Sequence, residues 1–119
     1  QTKEVVLPTW FREGMATLVA EGSPPPSARR GLQGHRSLED LALADANLLG
    51  RQPKACYTLA ALTFAAWMEQ FGQRHLSSVF REMRLGHGFN AAHRRACGVP
   101  HRAWLRRWLD TLIAEWQTV

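Results

Sequence analysis

The stretch Leu7-Pro8-Thr9-Trp10-Phe11-Arg12-Glu13-Gly14-Met15-Ala16 reads as the start of a helix. Proline is well tolerated in a first helical turn, where its missing N–H has no intrahelical partner to lose. From there Phe11, Met15 and Leu18 recur at i, i+4 and i+7 and predict a core-facing stripe, with Trp10, Glu13 and Thr17 on the adjoining face. Glu13 therefore lies beside apolar surface. Gly14 in mid-helix costs about 1 kcal/mol relative to alanine, which implies that another backbone or a ligand comes close enough to exclude a side chain. The helix is expected to end near Glu21-Gly22.

Downstream, Ser23-Pro24-Pro25-Pro26-Ser27 is a proline run that predicts extended chain. Residues 22–36 as a whole read as an irregular, exposed Pro/Gly-rich loop, long enough to suggest a functional rim. Ser37 with Asp40 three residues on is a variant capping box, opening a short helix to about Leu43 or Ala44. Pro53 opens the next element. The 14 residues Ala55 to Met68 are apolar nearly all round, as expected of a centrally buried helix. They are too few to span a bilayer, which needs about 20. Gly72 after Phe71 is a helix stop. Leu76 to Leu85 is amphipathic and ends at Gly86-His87-Gly88, Phe89 to Ala96 is a further short helix, and His101 to Thr118 closes the chain. That last helix carries Trp104, Leu105, Trp108, Leu109, Leu112, Ile113 and Trp116 on one broad face. The periodicities predict an all-α fold: one helical domain over 1–119, five to six helices around the apolar helix 54–71, and no strand beyond an isolated pairing at the N-terminus.

Trp-Phe-Arg-Glu-Gly-Met-Ala at residues 10–16 resembles the W-[LF]-x-E-G-[LM]-A helix of gluzincin-type, peptidase MA-like zinc metallopeptidases. Further punctuation follows in the family's order: Tyr57 opening a small apolar helix, Phe71-Gly72, then Gly88-x-Phe89, Ala92, Ala96 and Gly98-Val99 before a helix with Trp104. The resemblance covers Leu7 to about Leu112. It implies that Glu13 is the third zinc ligand, beside two histidines of an H-E-x-x-H helix whose glutamate is the general base. Such a set leaves a position open for water, whose pKa the metal lowers toward neutrality. Tyr57 has two readings. As the family's oxyanion donor it is catalytic; otherwise it is a core aromatic with its hydroxyl satisfied.

The sequence departs from that pattern at the decisive place. No H-E-x-x-H occurs, and the first histidine is His35. The resemblance thus implies the C-terminal part of a peptidase MA-like domain, whose zinc and peptide or protein substrate require an upstream H-E-x-x-H segment. The chain alone is expected to be inactive, and to self-associate through the apolar patch left where the missing helix would pack. His93 is a second departure, standing where the family usually has phenylalanine.

The histidines offer no metal site of their own, because none are paired at i, i+4 and Pro100 separates Cys97 from His101. Nothing points to a serine or cysteine hydrolase, and there is no Gly-rich phosphate loop. Cys56 and Cys97 could form a bridge in an oxidising compartment or stay as thiols in a reducing one. The resemblance favours an extracytoplasmic setting. Thirteen of 15 basic residues are arginine and the net charge is +5. Seven arginines fall in the last 39 residues, but Glu82, Asp110 and Glu115 are mixed among them. This reflects compositional bias or an anionic partner of an arginine-rich helical binding module. It is not the basic arm of a nucleic-acid binder, so nucleic acid is not the expected partner. A degenerate pseudo-peptidase is the remaining alternative.

Overall fold

The computed structural model describes residues 7–33, Leu38, Ala42 and 53–117. It is all-α, with α1 (Thr9–Glu21), a 3-10 helix (Pro26–Leu32), α2 (Pro53–Arg84), α3 (Phe89–Cys97) and α4 (His101–Gln117). No strand occurs among the described residues. The isolated N-terminal pairing and the Ser37–Asp40 helix start lie outside them, although Leu38 and Ala42 are helical and buried in the common core.

Local chemistry sets the helix ends. Pro8 is the N-cap of α1, one position earlier than the first helical turn, and its carbonyl accepts the N–H groups of Phe11 and Arg12 at 3.1 and 3.0 Å. Gly22 closes the helix with φ 79°, where its N–H donates to the Leu18 carbonyl at 2.9 Å. A side chain rarely adopts that φ, so glycine suits the stop. Pro53 opens α2. Gly72, at φ 79° and ψ −178°, breaks α2 into an apolar first half and an amphipathic second half.

The first half of α2 is the axis of the molecule. Cys56, Leu59, Ala60, Ala61, Leu62, Thr63, Phe64 and Trp67 are all buried there. α1 lies antiparallel on it, with Gly14 facing Ala60 and Phe64, and Phe11 edge-on to Phe64 and Trp67. A Cβ at Gly14 would collide with the Ala60 carbonyl oxygen and come within 2.5 Å of the Phe64 Cβ. The implied close approach is therefore a backbone, and it sets the roll of α1. Trp10, Phe11 and Gly14 face inward, while Met15 and Leu18 of the expected stripe move to the flank and are half-buried.

α4 packs along the same helix by matching tryptophans to polar groups. The indole N–H of Trp108 donates to Thr63 Oγ1 at 2.9 Å, and that of Trp104 to Gln70 Oε1 at 2.8 Å. A buried threonine in an apolar helix is thereby satisfied, as a buried hydroxyl must be. Ile113, expected on the apolar face, is 38% exposed.

The stretch read as an irregular exposed loop is partly ordered. Pro26–Leu32 forms a 3-10 helix, and Leu32 is completely buried. Pro26 fixes φ at the first position and suits a short i→i+3 turn, a structure too brief to leave a hydrophobic period in the sequence. Arg29 straps this turn to α4, its guanidinium 5.4 Å above the Trp108 ring and ion-paired with Glu115.

Candidate functional site around Glu13

Glu13 projects from α1 one residue before the glycine that presses this helix onto α2. Its side chain is 23% exposed, and Arg12 Nε donates to its Oε1 at 3.2 Å. Arg12 is itself 41% exposed, and pairs of that kind contribute only about 0–1 kcal/mol, so an incoming cation would displace it at little cost. The neighbouring Trp10 is completely buried, stacked on Trp104 with ring centroids 5.5 Å apart. Among the described residues of α1, the exposed large apolar side chain is Val19, two turns from Glu13.

Tyr57 sits elsewhere. It is 43% exposed and lines a cleft of about 940 Å³ between the C-terminal half of α1, the proline run and the start of α2. Thr17 and Glu21 share that cleft; Glu13 does not line it. Glu13, Thr17 and Glu21 follow one another at i, i+4 and i+8, so the cleft begins one helical turn from the Glu13 carboxylate. Pro24 and Pro25 form one wall of the cleft.

Sequence reading did not find that two histidines, His93 and His101, are buried side by side. His93 is fully buried; its Nε2 accepts the indole N–H of Trp67 at 2.9 Å, and its Nδ1–H donates to the Val99 carbonyl at 2.7 Å. Those two bonds fix the neutral Nδ1–H tautomer and account for a histidine where phenylalanine would offer Trp67 nothing. Burial lowers its pKa, against the opposing effect of the Val99 carbonyl. His101, 5% exposed, lies edge-on to Phe89 with its ring 6.1 Å from that of His93. Burial pushes its pKa down to about 4, with the charges of His93 and Arg102 acting in the same direction. Both imidazoles are therefore neutral near pH 7. No local motif announces the pair, because its partners are 26 residues away in α2 and in the turn before α4.

Other chemistry is confined. No disulfide joins Cys56 and Cys97, and burial raises the Cys97 thiol to about 11, which keeps it protonated and unreactive. Among the described residues no group of three or more His, Cys, Asp or Glu side chains could hold a metal ion. Glu13 by itself does not fit zinc, which takes three protein ligands in a catalytic site. No described helix is long and apolar enough to cross a membrane. Compared with protein-family models, with curated proteins and with solved structures, the chain matches none.

Proposed function

We propose that this chain is the C-terminal helical part of a zinc-dependent metallopeptidase domain, in which Glu13 is a metal ligand of a site completed by an upstream H-E-x-x-H segment. The observation that carries the reading is the setting of Glu13. A carboxylate stands part-exposed on a helix whose roll is fixed by a backbone-to-backbone contact at the next residue, and among the described residues its ion-pair partner is the part-exposed Arg12 at its side. A ligand has to be held in orientation by its scaffold and yet remain reachable. The cleft beginning one turn away, with Tyr57 on its wall, supports a peptide as the substrate class.

Alone, the 119 residues should hydrolyse no peptide, since they contain neither the histidine pair nor the general base. Joined to a native upstream segment bearing H-E-x-x-H, the protein should cleave peptides. Glu13→Gln should abolish that activity, and Tyr57→Phe should lower kcat by about 100- to 1000-fold if the hydroxyl donates to the oxyanion. Peptide hydrolysis assays on the three joined proteins measure this. An upstream segment without the motif, or full activity in Glu13→Gln, would leave a binding module or pseudo-peptidase instead.

A further inference from the structure

Charge is divided unevenly along the chain. Residues 1–69 carry seven basic and seven acidic side chains, whereas residues 70–109 carry eight arginines and a single acid, Glu82. The division falls at the Gly72 break, so the basic part is structurally continuous: the second half of α2, then α3 and the first half of α4. All eight arginines are exposed. Glu82 is only 17% exposed and is already engaged, with Arg95 Nε 3.2 Å and His87 Nε2 3.6 Å from its Oε2. Cations therefore outnumber acids in this half even with Arg95 paired to Glu82, and Arg81 and Arg84 stand exposed beside the turn that ends α2.

A second observation lies at its tip. Where α2 ends, the chain turns through Gly86 at φ 103°, and Leu85 is left 70% exposed. It is the only exposed large apolar residue described within 70–109. Arg81 and Arg84 precede it on the last turn of α2. An isolated exposed leucine needs no explanation, but one at the tip of a tight turn, next to exposed guanidinium groups in a half with net positive charge, has the make-up of an interfacial anchor. The rings of this half do not suit nucleic acid. Phe71, Phe80, Phe89, Trp104 and Trp108 are buried or half-buried, which leaves no exposed face on which a base could stack.

We propose that the α2–α3 turn docks the protein on an anionic phospholipid surface, with Leu85 entering among the acyl chains and Arg81 and Arg84 on the lipid phosphates. One short apolar insertion is weak by itself, and the surrounding cations supply the second signal that peripheral binding requires. The inference is independent of the peptidase reading.

Co-sedimentation of the 119-residue protein with vesicles tests it. The protein should bind vesicles that mix phosphatidylglycerol with phosphatidylcholine, bind phosphatidylcholine alone far less, and be released as salt is raised. Replacing Arg81 and Arg84 together by alanine should weaken binding about 30-fold, taking the usual contribution of a basic residue at a charged membrane surface. Leu85→Ser should weaken it about tenfold, and Arg30→Ala, at an exposed site in the neutral half, should change nothing. All four positions are exposed, so the variants should melt with the parent protein, and a circular dichroism melt checks that. Equal binding to neutral and anionic vesicles overturns the proposal, as does parental binding by the Leu85 and arginine variants. Salt-sensitive capture of a DNA duplex without vesicle binding also overturns it, and assigns the basic half to nucleic acid.

Discussion

Gly14→Ala should destabilise the protein by about 2 kcal/mol, although alanine is the better helix former by about 1 kcal/mol. The added Cβ would meet the Ala60 carbonyl oxygen and the Phe64 Cβ. Neither is the end of a flexible side chain that can swing aside. α1 would have to lift from α2, loosening Trp10 and Phe11, the two aromatic residues it buries completely. Overpacking of a tight contact typically costs about 1–3 kcal/mol, and the loss of that aromatic packing adds to it. Gly31→Ala is the matched control, since nothing lies within 4 Å of a Cβ there and the change should be within about 0.5 kcal/mol of neutral. Urea unfolding at pH 7.5 compares the two. A Gly14→Ala protein as stable as its parent would mean that α1 is not seated on α2 as described.

Acid should destabilise the protein through its buried histidines as the pH falls below about 6.5. An unfolded histidine takes up a proton near pH 6.5, whereas His101 in the folded state resists until about 4. The unfolded state therefore binds more protons as pH falls through that window, and stability falls with it. For His101 alone the loss between pH 7.5 and 4.5 is about 2.5 kcal/mol. His93, lowered in the same direction, adds to the loss. Protonating its Nε2 would also remove the acceptor of the Trp67 indole N–H. The surrounding rings of Trp10, Phe71 and Phe89 supply no counter-charge. Stability measured in urea at the two pH values should show this drop, and His101→Phe should remove about 2.5 kcal/mol of it. An unchanged pH dependence in His101→Phe would contradict the assignment.

Much of the architecture is legible because it is signalled locally. Pro8, Gly22, Pro53, Gly72 and Gly86 act through their own backbone geometry, and each falls at or within two residues of a helix end or break. The apolar run after Pro53 identifies the central helix because only a buried helix can be apolar on every side. Gly14 is informative for a different reason: its cost in a helix interior points to a close contact, and the Ala60 backbone occupies that place. What escapes sequence reading depends on distant partners. The 3-10 turn at Pro26–Leu32 has no period to detect, and its order comes from burying Leu32 and from the strap of Arg29 to α4. His93 and His101 read in sequence only as histidines with no shared metal site, until α2 and the α3–α4 turn close around them. At the candidate site, the sequence places Glu13 on a helix beside apolar residues, but not its separation from Tyr57. That separation follows from the antiparallel docking of α1 on α2, which puts Tyr57 opposite Thr17 and Glu21 instead.

Zinc affinity of the chain joined to its native upstream segment bears most directly on the role given to Glu13. Competition titration against a chelator should give weak binding for the 119 residues alone and tight binding for the joined protein. Glu13→Ala should weaken the latter by more than about a hundredfold, since even groups that only support a ligand are worth about 10- to 100-fold. Glu21→Ala, two turns along the same helix, should bind as tightly as the parent. Equal zinc affinity with and without Glu13 would contradict the account.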